Sequence, residues 1–330
     1  MKVMISFIFT CLIVGCFTVT SLMSQDIRVP GSFGLDSNED ERNNVSEDID
    51  MSYLQCDSEV CKVVKAYIKE LPGAGLWVVD NEQQKPRLKR RIFFPDNRLS
   101  VREKSVKRFP FNSTVAIRVD GVVTCSGVAL LKDRFFLTAA HCVQPHGKRK
   151  EIEVGSLLSY QQMEWVKVDK IRVPSIWKRR ASIKKLRFKD YAVLETEAPL
   201  PVTPMTIGYA GVSADGNEML QVNQTYVYIN AFDDKKRYDD LNMRFCKVRR
   251  VKSFQLFSRC DTVSKTAGAG VYVRMRNKES GKVDRKVIAI ATGDFGLKEN
   301  RKYSVALRIN SRMFPHICYF VTRSFNGCST

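Results

Sequence analysis

Residues 137–142 read LTAAHC, an apolar run that ends in a histidine and a cysteine. The preceding residues, CSGVALLKDRFF (125–136), contain two β-branched or aromatic runs separated by polar residues, which indicates two strands joined by a turn. Cys125 and Cys142 are spaced to bridge this strand pair. We therefore predict that a disulfide holds His141 at the end of a strand, and a loop of this size contributes about 3 kcal/mol in the chain-entropy model.

The rest of the chain from residue 109 also reads as short strands separated by turns. The further candidate strands are STVAIRVDG (113–121), QTYVYINAF (224–232), GVYVRMR (270–276), RKVIAIATG (285–293) and YSVALRIN (303–310). Many short strands with little helix predict an all-β fold, either an antiparallel barrel or a sandwich. The segment 311–321 predicts a C-terminal helix, with Asn310 as its cap.

One acidic residue stands where a catalytic histidine would need it. The stretch FKDYAVLE (188–195) places Asp190 directly before an apolar strand, as a buried carboxylate requires. In the Ser-His-Asp mechanism, such an aspartate orients the histidine and balances the charge of the imidazolium. We therefore predict that Asp190 is the partner of His141.

Together these stretches resemble the chymotrypsin/trypsin-like serine proteases, and within them the group of serine protease 23 and inactive serine protease 35. The similarity covers about residues 56–328. The matching stretches, in order, are CDSEVCKVVKAYIKEL (56–71), FPFNSTVAI (109–117), LTAAHC (137–142), RVPSIW (172–177), KDYAVLE (189–195), MRFCKV (243–248) and GAGVYVRM (268–275). The resemblance implies two six-stranded antiparallel β-barrels with the site between them.

The resemblance also assigns roles to single residues. His141 matches the general base and Asp190 its orienting carboxylate. Ala267, in VSKTAGAGVY (263–272), stands where active members have the nucleophilic serine. Lys265 stands where they have a glycine whose backbone N–H helps to form the oxyanion hole. Asp261 matches the aspartate that selects Arg or Lys, so a specificity pocket is expected to persist.

These replacements predict a pseudoprotease that acts by binding a protein or peptide at its cleft. Two alternatives stay open. The chain is an active serine-type endopeptidase that cleaves after Arg or Lys with a displaced hydroxyl, from Ser264 or Thr266, or it is a heparin- or matrix-binding protein. Thr266 also occupies the place of the aspartate that receives the new N-terminus in trypsin-like zymogens, so we do not expect cleavage near Arg90 to switch on that mechanism.

The N-terminal third predicts secretion and processing. Lys2 and the apolar run at 3–20 indicate a signal peptide over residues 1–24; the alternative, a membrane anchor, would need a longer run. Residues 25–90 are interpreted as an acidic leader, or pro-segment, disordered over 25–55 and helical over 56–71. RLKR (87–90) fits convertase cleavage after Arg90, or else is a solvated basic linker. The peptidase domain then spans residues 91–330.

Cysteine usage agrees with an extracellular location. Cys11 and Cys16 lie in the signal peptide, and the remaining even number predicts a disulfide framework. The predicted pairs, each local in sequence, are Cys56–Cys61, Cys125–Cys142, Cys246–Cys260 and Cys318–Cys328. A zinc site would need clustered Cys and His, but the chain has three His and no Cys-x-x-Cys, so neither metal nor other cofactor is expected. Sequons at Asn44, Asn112 and Asn223 predict glycosylation.

The charge of the chain indicates one class of partner. The net charge is +19, and basic residues cluster at 177–189 and 244–252. A secreted cationic surface attracts heparin and other sulfated glycans, although it can also serve solubility alone. The sequence contains no known nucleic-acid-binding motif, so nucleic acid is not an expected partner. Beyond the signal peptide, no apolar run is long enough to span a membrane. The candidate glycan-binding residues are Lys178, Arg179, Arg180, Lys184 and Lys185.

Overall fold

A computed structural model describes most of the chain beyond residue 97 and several short segments before it. The described residues are 49–50, 53–56, 61–64, 67–68, 77–79, 98–143, 151–159, 162–178, 183–210, 219–232, 241–292, 303–324 and 328. The predicted signal peptide, Asn44 and the predicted cleavage site at Arg90 lie outside them. In the part of the chain that is described, no helix has the length and apolarity needed to cross a membrane.

Six short strands precede the main body of the protein. They are β1 (Ile49–Asp50), β2 (Tyr53–Cys56), β3 (Cys61–Val64), β4 (Tyr67–Ile68), β5 (Trp77–Val79) and β6 (Leu99–Ser100). The predicted helix over 56–71 is therefore wrong, and the predicted disorder over 25–55 is interrupted by β1 and β2. The segment instead forms a hairpin in which Cys56 lies opposite Cys61.

The first barrel is a closed antiparallel sheet of six strands. They are β7 (Thr114–Val119), β8 (Val122–Ala129), β9 (Phe135–Thr138), β10 (Ile152–Ser159), β11 (Gln162–Pro174) and β12 (Ala192–Thr196). The strand order is β10-β7-β8-β9-β12-β11, and pairing of β11 with β10 closes the barrel. Asp120 and Gly121 join β7 to β8 with φ of 50° and 80°, the positive values that a tight hairpin turn requires.

The second barrel repeats this plan. After the short β13 (Thr206–Ile207), which pairs in parallel with β18, come β14 (Tyr226–Phe232), β15 (Leu241–Lys252), β16 (Gln255–Ser258), β17 (Gly270–Asn277), β18 (Val283–Ala291) and β19 (Ser304–Arg308). The order is β14-β15-β16-β19-β18-β17, closed by pairing of β17 with β14. Buried β-branched residues such as Ile229, Val271 and Ile288 alternate with outward-facing ones and fill the interior.

The described helices are short, except for the last. They are α1 (Glu103–Val106), α2 (Ala140–Val143), α3 (Ile183–Leu186) and α4 (Met313–Thr322). The predicted C-terminal helix is thus confirmed, and the Asn310 side-chain oxygen accepts the backbone N–H of Met313 at 3.0 Å. α4 packs on the core of the first barrel through Ile317 and Phe320. The all-β double-barrel fold predicted from the sequence is confirmed.

Candidate active site

Asp190 lies two residues before β12 and is completely buried. A short 3₁₀ turn, Arg187–Lys189, leads into it, and the Trp177 indole N–H donates to the Lys189 carbonyl at 2.8 Å. The apolar residues that follow anchor β12 in the core of the first barrel, where Leu194 and Val193 are fully buried. The carboxylate is therefore held by a rigid strand and shielded from water.

His141 lies on α2, three residues after the end of β9, and faces this carboxylate. Its backbone N–H donates to Asp190 Oδ1 at 2.9 Å, and its Nδ1 lies 2.7 Å from Asp190 Oδ2. A carboxylate only accepts, so in this bond the His141 Nδ1 is the donor. The His141 side chain is 25% exposed, as a base that meets a ligand must be.

A disulfide fixes the histidine helix to the barrel. Cys125 on β8 and Cys142 on α2 are joined, with their Cα atoms 6.1 Å apart. Cys142 Sγ also lies 3.8 Å from His141 Nε2. Cys125, His141 and Cys142 thus form a compact group, but both sulfurs are already in a disulfide and offer no thiolate to a metal.

The structure also joins the other predicted pairs of the barrels. Cys246 on β15 is bonded to Cys260, which directly precedes Asp261. Cys318 on α4 is bonded to Cys328. Cys56 is disulfide-bonded as well, opposite Cys61 in the hairpin register.

Ala267 lies in a tight turn of the second barrel that packs against the first. The turn begins with the 3₁₀ segment Ser264–Thr266, and Ala267 is 4% exposed. Its carbonyl accepts the Ser126 N–H from β8 at 2.9 Å. Gly268 follows with φ of +83°, and a Cβ there would lie 2.1 Å from Thr138 Oγ1 at the end of β9. Only glycine fits this position, and the contact brings position 267 beside the strand that leads to His141.

The backbone of this turn is bonded to itself rather than open to a ligand. The Ala267 N–H donates to the Ser264 carbonyl at 3.1 Å. The Ser126 hydroxyl donates to the Lys265 carbonyl at 2.8 Å and accepts the Phe232 N–H at 3.0 Å. The N–H at the nucleophile position, one of two donors that an oxyanion hole needs, is therefore already occupied.

The two hydroxyls nearest to Ala267 have different environments. Thr266 is fully buried, and its Oγ1 accepts the Val263 N–H at 3.0 Å and a proton of the Arg244 guanidinium at 3.2 Å. Arg244, on β15, is itself completely buried. Ser264 is exposed at the start of the turn. Sequence reasoning missed Ser126 and Arg244, although a serine next to Cys125 and an arginine among inward-facing strand residues were visible signals.

The remaining predicted sites are spread over the surface. Asp261 is partly exposed and lies six residues before Ala267. Asn223 is exposed, with its Oδ1 accepting from Arg249 at 2.8 Å, whereas Asn112 is partly buried and its Nδ2 donates to Thr203 at 2.8 Å. Of the five candidate glycan-binding residues, Lys185 is described and exposed; the other four side chains lie outside the described ones.

Two closed barrels, an Asp-His pair on the first and a glycine-rich turn of the second packed beside it define the chymotrypsin-type serine protease class. A family model described as Trypsin matches residues 100–242. A solved structure of a Glu endopeptidase in complex with MPD superposes with a TM-score of 0.53 and 16% identity, covering 69% of this chain and 97% of that one, which supports the fold. The sequence match and the fold together show that the chain is similar to the trypsin-like serine proteases.

Some relatives of this chain are named serine proteases, and others are named inactive serine proteases. Serine protease 23 of Homo sapiens is 26% identical, over 80% of this chain and 73% of that protein. Serine protease 23 of Bos taurus is 28% identical, over 77% and 72%. Inactive serine protease 35 of Bos taurus is 24% identical, over 74% and 72%. The chain is a trypsin-like serine protease homologue, and its own residues must argue for or against catalysis.

Proposed function

We propose that this protein is a secreted pseudoprotease, which binds a protein or peptide at its cleft without hydrolysing it. The observation that carries the proposal is the closed turn at Ala267. The position of the nucleophile has a methyl group, and its N–H donates to the Ser264 carbonyl. A triad without its nucleophile leaves about 10³–10⁴-fold catalysis over water when the oxyanion hole is intact, and here one donor of the hole is engaged as well.

A displaced nucleophile is a weaker reading of the same site. The Thr266 hydroxyl is buried and accepts two hydrogen bonds, one of them from the buried Arg244 guanidinium. If the Thr266 hydroxyl acted as a nucleophile, the Arg244 guanidinium would lose this hydrogen-bond acceptor. A donor left unsatisfied in the protein interior costs free energy. Ser264 is exposed but lies three residues before position 267, so the turn would have to refold to bring it to His141 Nε2.

The Asp-His pair is retained, and this retention fits a binding role. Asp190 Oδ1 and Oδ2 hold the backbone and the ring of His141, so the pair shapes the cleft wall even without proton transfer. Asp261, at the position that selects Arg or Lys in active relatives of this class, would give a bound basic side chain its counter-charge. The proposed ligand is a protein or peptide segment that presents Arg or Lys.

The first experiment separates binding from catalysis. Full-length secreted protein is treated with a fluorophosphonate probe and with Arg- and Lys-containing peptide substrates, and Ser264→Ala and Thr266→Val variants are treated in parallel. We expect no labelling and no hydrolysis in any of the three proteins. Labelling of the wild type that disappears in either variant would establish the displaced-nucleophile enzyme instead.

The second experiment tests the pocket. Benzamidine, an amidinium that mimics the arginine side chain, is expected to raise the unfolding temperature of the wild type. The isosteric Asp261→Asn variant removes the counter-charge with little change in shape, so it should show no such rise. An equal shift in both proteins would remove Asp261 from the proposed site.

Sulfated glycans are a second candidate ligand. The described residues include a basic group at the end of β15, where Arg249, Arg250 and Lys252 are exposed. Such a group adds to the net charge of +19 and attracts polyanions over about 8 Å at physiological ionic strength. This binding does not depend on the cleft, so it is compatible with the pseudoprotease.

A further inference from the structure

The leader contributes strands to both barrels. β2 pairs antiparallel with β11, with Tyr53–Cys56 opposite Ile171–Pro174, and β3 pairs with the outer side of β2. β5 pairs antiparallel with β17, with Trp77–Val79 opposite Asn277 to Met275. Residues that precede the predicted cleavage site thus extend the hydrogen-bonded sheets of each barrel.

Side chains of β2 add contacts that are specific to this arrangement. Cys56 is 4% exposed and belongs to the core of the first barrel. Gln55 Oε1 accepts from Arg172 Nε at 3.3 Å and from Arg323 Nη2 at 3.1 Å. Arg172 is 1% exposed, so Gln55 helps to satisfy a buried guanidinium, and the same oxygen links the barrel to the end of α4.

The pairing also lies next to the candidate site. β11 runs from its contact with β2 directly into the turn that carries Trp177, and the Trp177 indole N–H donates to the Lys189 carbonyl, one residue before Asp190. β2 therefore supports the segment that positions the buried carboxylate. Removing β2 would expose the β11 backbone that now pairs with it.

We propose that the leader is a permanent part of the protein, and that cleavage after Arg90 yields a two-chain molecule in which residues 49–79 stay bound without a covalent link. The predicted Cys56–Cys61 disulfide lies wholly within the leader, so only strand pairing and side-chain contacts join it to the barrels. The leader is then a docked structural subunit rather than a discarded pro-segment. This proposal does not depend on whether the cleft is catalytic.

The test introduces a cut that can be controlled. Residues 87–90 are replaced by the recognition sequence of a site-specific protease that cuts nowhere else in the chain, and the full-length protein is secreted intact and cut after purification. On native size exclusion and native mass spectrometry we expect the two fragments to remain together. Unreduced protein in 6 M guanidinium should release the leader, which shows that no disulfide joins the fragments.

A pair of variants at one position identifies the contact. Because β2 lies between β11 and β3, the residue 55 N–H points to one of these neighbours, and Gln55→Pro removes a ladder bond in either case. Gln55→Ala keeps the ladder and removes only the side-chain acceptor. Cut Gln55→Pro should release its leader at a protein concentration where cut Gln55→Ala retains it.

The wild-type result decides the proposal even if the proline variant is not secreted. A leader that elutes alone from cut, folded wild-type protein would overturn it, whatever the variants do. A leader that remains bound only through a disulfide, and so persists with the barrels in unreduced guanidinium, would also overturn it. Neither outcome bears on fluorophosphonate labelling, so failure here is distinct from failure of the proposed function.

Discussion

Restoring the nucleophile is the perturbation that tests the reasoning about the cleft most directly. Ala267→Ser places a hydroxyl on the turn that packs against β8 and the end of β9, but the N–H of residue 267 still donates to the Ser264 carbonyl. In subtilisin, loss of one oxyanion donor costs about 2.7–4 kcal/mol, or about 10²–10³ in kcat. We therefore expect the single variant to have at most about a hundredth of the activity of a variant whose hole is also opened.

Lys265→Gly combined with Ala267→Ser is the minimal repair. Glycine allows the peptide between residues 264 and 265 to rotate into conformations that a lysine disfavours, which withdraws the Ser264 carbonyl from the N–H of residue 267. Breaking that one hydrogen bond costs about 1 kcal/mol, well below the gain from a restored donor. Asp261 then predicts cleavage after Arg or Lys.

The assay compares initial rates on fluorogenic Arg peptides, together with the rate of fluorophosphonate labelling. Four proteins are needed: the wild type, Ala267→Ser, the double variant, and the double variant with His141→Ala, which should lose the gained activity. Thermal unfolding of each confirms that the fold is intact. Equal activity of the single and double variants would refute the closed oxyanion hole, and robust wild-type hydrolysis would refute the pseudoprotease.

Three further predictions concern stability and surface charge. Burial lowers the pKa of Lys286 to about 8, so between about pH 8 and 10 the unfolded chain holds a proton that the folded protein has released. The free energy of unfolding of the wild type should therefore rise with pH, relative to that of Lys286→Met, by up to about 1.4 kcal/mol per pH unit. A difference between the two proteins that stays constant with pH in urea titrations would contradict this. Replacing both Cys125 and Cys142 by alanine opens a loop with a sequence separation of 17 and should cost about 3 kcal/mol in the same titrations, while an unchanged midpoint would remove the disulfide from the stability of the histidine helix. Serine replacements in the basic segment should lower the salt concentration at which the protein elutes from heparin, and unchanged elution would assign that charge to solubility. The replaced residues are Lys178, Arg179, Arg180, Lys184 and Lys185.

The strands and the Asp-His pair could be predicted because their signals are local, whereas the closure of the strands into two barrels was implied by the resemblance to the trypsin-like proteases. The alternation of apolar residues fixes which face of a strand is buried, and LTAAHC ends a strand at the histidine wherever the chain is placed. Asp190 could be predicted as the partner of His141 because an apolar strand follows it, and the structure places its carboxylate 2.7 Å from His141 Nδ1. Neither inference required knowledge of distant contacts.

The predicted helix over 56–71 failed for a reason visible in the sequence. Residues five apart on an α-helix point about 140° apart, so Cys56 and Cys61 could not be bonded within a regular helix. Val63 and Val64 are β-branched and favour strands when a partner is present. Their partner is β2, and β2 in turn pairs with β11, more than 100 residues further along the chain, so local spacing carried no information about this sheet.

The closed oxyanion hole was beyond sequence reasoning, although Lys265 and Ala267 had marked the turn. Its closure depends on the Ser126 hydroxyl, which arrives from the other barrel and is bonded to both Lys265 and Phe232. The buried Arg244, which donates to the Thr266 hydroxyl, likewise reaches the turn from another strand, β15. Such contacts join residues more than 20, and in two cases more than 100, positions apart.

The pairing of β5 with β17 sets an order of events during synthesis. Val79 lies about 200 residues before Met275, its partner in the sheet. At roughly 5–20 residues per second, translation takes about 10–40 s to deliver the second strand after the first. During that interval the leader strand has no partner from its own barrel, and strands without partners are sites of aggregation. A cut after Arg90 before β17 is complete would separate β5 from its partner, so the topology favours any such cut only after the second barrel has folded.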